Sequence, residues 1–192
     1  MKLLKFCQRK KIILFIDEVY YPFGKSSFFN LLDKYNNLIV ARSFSKAFGL
    51  AGIRLGYILT NKKLTKYISN SRTAYETNTL SLATASFFID HYSEISKYVI
   101  ETKKGIDFIK TKLDKLKIHY HGGNQGNFIF INFYDFKKNK DVIKYLESKK
   151  IFVRGGWQKP WNTGFSLSCG PKQLMQRFYK HFVNALDTIN AN

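Results

Sequence analysis

The chain has 192 residues, 45% hydrophobic and 17% aromatic. That is enough for one large domain or two small ones with a real core, and it excludes a wholly disordered chain. A net charge of +19 raises a nucleic-acid partner, but the lysines are spread over what read as solvated helix faces and no nucleic-acid motif is present. A composition rich in Lys, Asn, Ile, Phe and Tyr also follows from AT-rich coding, so nucleic acid is set aside; a phosphate-bearing ligand would still find a favourable field.

Residues 1–10 read as the end of an amphipathic helix. The basic start and the apolar run "IILFI" do not make a signal segment, because the run is short and leads straight into Asp17 and Glu18. No apolar run reaches the length of a spanning helix. The expectation is a cytoplasmic protein with no membrane partner. "KIILFID" (11–17) is a continuous apolar run ending in an acid, the pattern of a buried parallel strand whose C-terminal end reaches a site. After turn-rich "YPFGKSS" and a short helical stretch near 27–34, "NLIVARSFS" (37–45) and "IRLGYIL" (53–59) predict two more strands. Buried strands alternating with short helices indicate an α/β layer.

From Leu80 to Leu116 the apolar spacing is helical, with Gly105 an expected break or kink. "GNFIFINF" (126–133) alternates like a half-buried strand, "KDVIKYLESKK" (140–150) reads as a helix, and "IFVRG" and "GFSLSCG" read as strands. A closing helix follows Pro171, expected in its first turn. This half reads as a compact α+β unit joined by the long helix. Cys7 and Cys169 lie far apart without CxxC spacing, so neither a disulfide nor a zinc site is expected. His119 and His121 would share one strand face but lack further ligands, and no metal is expected.

The chemistry concentrates in "ARSFSKAFGLAGIRLGY" (41–57). A reactive lysine must shed its proton near neutral pH, which cationic neighbours and desolvation favour. Lys46 follows a predicted strand and sits close to Ser43 and Ser45. Arg54 returns to the same place if the 47–52 loop turns back. Two hydroxyls and a guanidinium would hold a phosphate, though the stretch lacks the nucleotide P-loop arrangement. Asp17 ends the neighbouring strand and Tyr20 follows it. A carboxylate, a phenol, a lysine, hydroxyls and an arginine at adjacent strand ends fit pyridoxal 5'-phosphate: the carboxylate keeps the pyridine nitrogen protonated, so that the ring can act as an electron sink.

These residues carry a resemblance. Asp17-Glu18-Val19-Tyr20 resembles the D-x-x-Y signature of class I/II (fold type I) aminotransferases. Ser43-Phe44-Ser45-Lys46, continuing to Tyr57, resembles their S-x-S-K-x-x-x-L-x-G-x-R-x-G-Y signature. "GNFIFINF" and "IFVRG" are similar to small-domain segments of the histidinol-phosphate aminotransferase subgroup. The resemblance implies part of a large, mainly parallel-sheet PLP-binding domain over residues 1–88. An interdomain helix and a small α+β C-terminal domain would follow over 89–192.

It implies that Lys46 bonds to the cofactor's aldehyde and shuttles a proton between the substrate carbon and the cofactor's C4′. Asp17 would pair with the ring nitrogen and Tyr20 with O3′, while Ser43, Ser45 and Arg54 would hold the phosphate. Arg154 would lie near a substrate's phosphate end, with "GGWQKPW" (155–161), and Asn127 would be structural. The implied reaction transfers an amino group from a small-molecule donor to a carbonyl acceptor. A PLP-dependent decarboxylase, a carbon–carbon bond-forming relative and an inactive basic binding fragment are the alternatives.

Two departures stand out. Complete members carry an N-terminal half with a glycine-containing phosphate loop, a ring-stacking aromatic and an asparagine, none of which is found here. The expectation is a C-terminal fragment with uncovered strands and apolar faces and weak or no catalysis alone. Its partner would be a second copy in a completed homodimer, or a separate N-terminal half. Second, Ser166 stands where the family's carboxylate-binding arginine is expected. A serine offers one hydrogen bond where arginine offers a bidentate fork, which implies either a substrate without an α-carboxylate or lost activity.

Overall fold

The computed structural model describes residues 1–73 and 76–191. It divides between Ser96 and Lys97 into two compact units, both of α/β character.

In the first unit, helix α1 (Lys2–Arg9) precedes a three-stranded sheet of β1 (Leu14–Asp17), β2 (Leu38–Ser43) and β3 (Gly56–Thr60), in that spatial order. β1 runs parallel to β2, with Leu14 opposite Leu38 and Asp17 opposite Ala41. β3 runs antiparallel to β2, with Ser43 opposite Gly56. Leu38 and Val40 of β2 are fully buried and pack with Leu4, Leu32 and Tyr35, joined by Leu14 and Ile16. Burial of each such side chain is worth about 1.5–3 kcal/mol.

β1 departs from the expected two-sided burial. It alternates, and Phe15 on its other face is 57% exposed. The third strand also begins later than its apolar run. Residues Ala51–Ile53 form a 3₁₀ turn, and Arg54 then takes a left-handed backbone (φ 54°) that no strand accommodates. Only a 3₁₀ turn at Phe29–Leu31 occupies the stretch expected to be helical near 27–34.

Helix α2 (Lys62–Asn70) was not foreseen. Its signal is a cap: the Asn61 side chain accepts the Leu64 amide at 3.1 Å. The apolar stretch from Leu80 forms two helices, α3 (Thr79–Asp90) and α4 (Tyr92–Lys115), which part at His91. Gly105 does not break α4, which runs on from Tyr92 to Lys115. It is buried, and a Cβ there would collide with the Gly170 carbonyl oxygen, so the glycine permits close packing.

In the second unit, β4 (His119–Gly122), β5 (Phe128–Asn132) and β6 (Gly164–Ser168) form an antiparallel sheet with β5 central. Helices α5 (Phe136–Ser148) and α6 (Lys172–Asn190) complete the unit. α5 starts earlier than its apolar pattern because Asp135 caps it, accepting the Lys138 amide at 3.0 Å. Pro171 stands at the N-cap of α6 rather than inside its first turn. Ile129, Ile131, Phe165 and Leu167 point inward against Ile106, Ile109, Leu113, Val142, Leu146 and Phe182. Residues 151–155 do not form the expected strand. They make a single bridge, Arg154 with Ser166, because the chain then folds back: Trp157 Nε1 donates to the Arg154 carbonyl at 3.1 Å.

Candidate active site

The parallel pair β1 and β2 brings the ends of two strands side by side. Asp17 closes β1 and Ser43 closes β2. Asp17 is exposed, and its Oδ1 accepts the Val19 amide at 2.9 Å, which turns the chain toward Tyr20. Ser43 Oγ accepts the Ser45 amide at 3.0 Å, and Lys46 follows. Lys46 Nζ lies 5.2 Å from the centre of the Tyr20 ring. The loop after Lys46 does turn back. Gly49 N donates to Lys46 O at 3.0 Å, Leu50 N to Phe44 O at 3.0 Å, and Phe44 N to Leu55 O at 3.2 Å. Arg54 is thereby returned beside the end of β2, where its Nη1 donates to the Ala51 carbonyl at 3.0 Å. Gly56 permits the return, since a Cβ there would sit 2.9 Å from the Arg42 carbonyl oxygen.

Lys46, Asp17 and Arg54 are all exposed, while Tyr20, Ser43 and Ser45 are half-buried.

Three residues that sequence reasoning left out lie directly behind this site. Successive residues of a strand face opposite ways, so Asp17 and Glu18 diverge, as do Ser43 and Arg42. Glu18 and Arg42 meet at 3.1 Å with side chains only 10% and 11% exposed. Glu18 also accepts the Phe28 amide at 2.6 Å and the Ser27 hydroxyl at 2.8 Å. The Arg42 guanidinium carbon stacks 3.5 Å from the centre of the Tyr21 ring. The available signal was an arginine inside an apolar strand run, since a buried guanidinium calls for a partner.

Next to β3, the first unit contains a cavity of about 1100 Å³ lined by Arg42, Phe44, Tyr57, Ile68, Leu82 and Tyr92, among others. Lys46, Asp17 and Tyr20 are not among its described lining residues. Burial pushes the Tyr92 phenol up to about 12, reinforced by the hydrogen-bonded Tyr21 and opposed by the Arg42 charge.

In the second unit Arg154 and Ser166 are direct partners. Arg154 N donates to Ser166 O at 3.0 Å and Ser166 N to Arg154 O at 2.8 Å. Side chains of such a pair project to one face, which also carries Phe130 opposite Ser166 and His121 opposite Phe130. Arg154 is exposed, its guanidinium carbon 4.7 Å from the centre of the Trp157 ring. The strand bearing Ser166 is pinned at both ends. Asn139 Nδ2 donates to the carbonyls of Asn162 at 3.0 Å and Gly164 at 3.1 Å. Cys169 N donates to Asn127 O at 2.6 Å. The Cys169 thiol is buried, which pushes it up to about 12 and suits packing rather than thiol chemistry. Among the described residues no cluster of three His, Cys, Asp or Glu side chains could hold a metal ion.

The fold is that of the fold-type-I PLP-dependent aminotransferases. The structure superposes on the histidinol-phosphate aminotransferase of Clostridium acetobutylicum with a TM-score of 0.84 at 20% identity, covering 97% of this chain and 58% of that one. On the Sinorhizobium meliloti enzyme, solved with pyridoxal-5'-phosphate, the TM-score is 0.81 at 20% identity, covering 98% and 53%. An L-threonine-O-3-phosphate decarboxylase from Porphyromonas gingivalis shares the fold at a TM-score of 0.75 and 22% identity, covering 100% and 58%.

The family model for aminotransferase class I and II matches residues 1–182, and the chain belongs to that family. It is 32% identical over 163 residues to the histidinol-phosphate aminotransferase of Ruminiclostridium cellulolyticum, covering 83% of this chain and 43% of that protein. It is 32% identical over 175 residues to that of Thermotoga neapolitana, covering 90% and 49%. The chain thus spans about half the length of the relatives it matches.

Proposed function

We propose that this chain is the lysine-bearing part of a pyridoxal-phosphate-dependent aminotransferase. The completed enzyme would move an amino group from a small-molecule donor to a carbonyl acceptor, a phosphorylated one if it follows the histidinol-phosphate aminotransferases this chain is similar to, with weak or no turnover by this chain alone. The observation that carries the reading is the meeting of Lys46 with Tyr20, beside Asp17, at the ends of the parallel strands β1 and β2.

The donor set fits the cofactor: an exposed carboxylate for a protonated ring nitrogen, a phenol beside an exposed amine, and two hydroxyls with a guanidinium for a phosphate. Bound pyridoxal 5'-phosphate supplies an electron-withdrawing ring that stabilises charge at the substrate carbon. Lys46 holds the cofactor and moves the proton, Asp17 keeps the ring nitrogen protonated, and Tyr20 donates to O3′. Ser43, Ser45 and Arg54 hold the phosphate. Arg154 and Ser166 meet the substrate, Ser166 with a hydroxyl where an arginine would bind a carboxylate.

Residues 1–88 make up the cofactor-binding part and 89–192 the interdomain helix and small domain. The exposed apolar residues, Phe15 and Leu80 among them, support a partner chain: a second copy in a completed homodimer, or a separate N-terminal half. Among the described residues no helix is long and apolar enough to cross a membrane; the proposed site of action is the cytoplasm.

The test is a pyridoxal-phosphate titration of the chain followed by visible absorbance, borohydride reduction and peptide mapping. Label confined to Lys46 supports the reading, and label scattered over many lysines overturns it. Products separate the reactions: amino transfer leaves pyridoxamine phosphate, whereas decarboxylation releases carbon dioxide.

A further inference from the structure

We propose that Glu18 and Arg42 are positioning residues: their ion pair clamps the loop 18–28 from behind the sheet and so holds Tyr20 against Lys46. The inference rests on the reading of Lys46 as the cofactor lysine.

The sequence carries two tandem pairs, Asp17-Glu18 and Tyr20-Tyr21, and the structure splits both. Asp17 stays exposed at the strand end and Tyr20 lies against Lys46. Glu18 and Tyr21 both go to Arg42. The Glu18 carboxylate accepts Arg42 Nε at 3.2 Å and Nη2 at 3.1 Å, the Ser27 hydroxyl at 2.8 Å and the Phe28 amide at 2.6 Å. Arg42 Nη2 donates to Ser27 Oγ at 2.8 Å as well. One carboxylate therefore closes residues 18–28 into a ring and fastens that ring to β2.

Inside the ring the backbone adds its own ties. Glu18 N donates to Ala41 O, and Tyr21 N to Glu18 O, both at 2.8 Å; Phe23 N donates to Tyr20 O at 2.9 Å. Tyr20 is thus flanked by two residues anchored on Arg42, and Arg42 lies four positions before Lys46 on the same strand and its continuation. Catalytic geometry tolerates little looseness in such a support. A buried ion pair is weak evidence for stability and better suited to fixing one arrangement.

Replacing the pair by apolar groups separates the two roles. In Glu18→Met/Arg42→Met no charge is left unpaired, so the unfolding midpoint should stay close to that of the native chain. The directional contacts to Ser27 and Phe28 are lost. The amides of Tyr21, Phe23 and Phe28 should exchange with deuterium about tenfold faster while those of β2 are unchanged. Pyridoxal-phosphate affinity should fall about tenfold, with borohydride label spreading from Lys46 to other lysines. Glu18→Gln, which leaves the buried Arg42 guanidinium without its counter-charge, should also speed exchange at Tyr21, Phe23 and Phe28 and lower pyridoxal-phosphate affinity, and serves if the double variant does not fold.

Unchanged exchange in the loop of the double variant, or exchange accelerated equally in β2, overturns the clamp. If only Glu18→Gln folds, exchange raised in the loop but not in β2, with label spreading from Lys46, supports the clamp, and native-like loop exchange and label overturn it. Native chain that takes no label at Lys46 overturns the functional reading instead, and the exchange data then decide the clamp alone.

Discussion

The two three-stranded sheets of this chain both bury their central strand but differ at their edges. In the second unit, Ile129 and Ile131 of the central strand and Phe165 of its neighbour are fully buried under that unit's own helices. In the first unit, β1 and β3 are edge strands, and Phe15 and Ile58 remain exposed. The helix α3 of that unit does not gather its apolar residues on one face, and Leu80, Phe87 and Ile89 are exposed. The second unit covers the inner face of its sheet with its own helices, although Phe152 and Trp161 stay exposed, while the first, which carries the candidate lysine, leaves apolar residues of both edge strands bare.

The contrast can be broken or sharpened by substitution, and the largest expected effect is at the site. Lys46→Ala should abolish the specific borohydride label outright, read by peptide mapping, with thermal unfolding unchanged because the side chain is exposed. Next comes the closed core of the second unit. Phe165→Ala should cost about 3–5 kcal/mol in urea unfolding, since Phe165 is fully buried among aromatic and aliphatic neighbours.

Asn139→Ala should cost about 1–3 kcal/mol by the same measurement, because it strips a donor from the buried Gly164 carbonyl and from that of Asn162. A smaller effect should follow from pH. Tyr92 titrates near 10 in the unfolded chain and about 12 in the folded one. The stability its protonated hydroxyl contributes is therefore complete below pH 10 and lost as pH rises through about 12. Tyr92→Phe should flatten the melting temperature over that window, with tyrosinate absorbance as the monitor.

The smallest effect on stability is expected at the open edge, where Phe15→Ser should stay within about 0.5 kcal/mol. It should also reduce self-association in sedimentation. A loss of several times that size would mean that Phe15 is covered in solution, and the contrast between the sheets would vanish.

Much of the candidate site was legible because local order alone fixes it. A strand ending in Asp17 and another ending in Ser43-Phe44-Ser45-Lys46 need only lie parallel to bring their ends together. The clamp behind them was not legible in the same way. Glu18 and Arg42 are 24 residues apart, and nothing local to either marks the other as its partner. Gly105 was misread for a related reason: its break-like character is intrinsic, but the Gly170 carbonyl that occupies the missing Cβ position comes from far along the chain. The 151–155 run failed as a strand because apolar alternation does not report the turn that Trp157 makes onto Arg154.

By itself, then, the sequence determined which segments are apolar, where helices are capped by Asn61 and Asp135, and which residue types gather around Lys46. Those are properties of neighbours in the chain, set by side-chain periodicity and local hydrogen bonding. The tertiary structure alone decided which carboxylate of Asp17 and Glu18 is left open and which is consumed in an ion pair, and which apolar faces are buried or bare. Those outcomes depend on distant segments meeting and excluding water, and short-range pattern carries no record of such meetings.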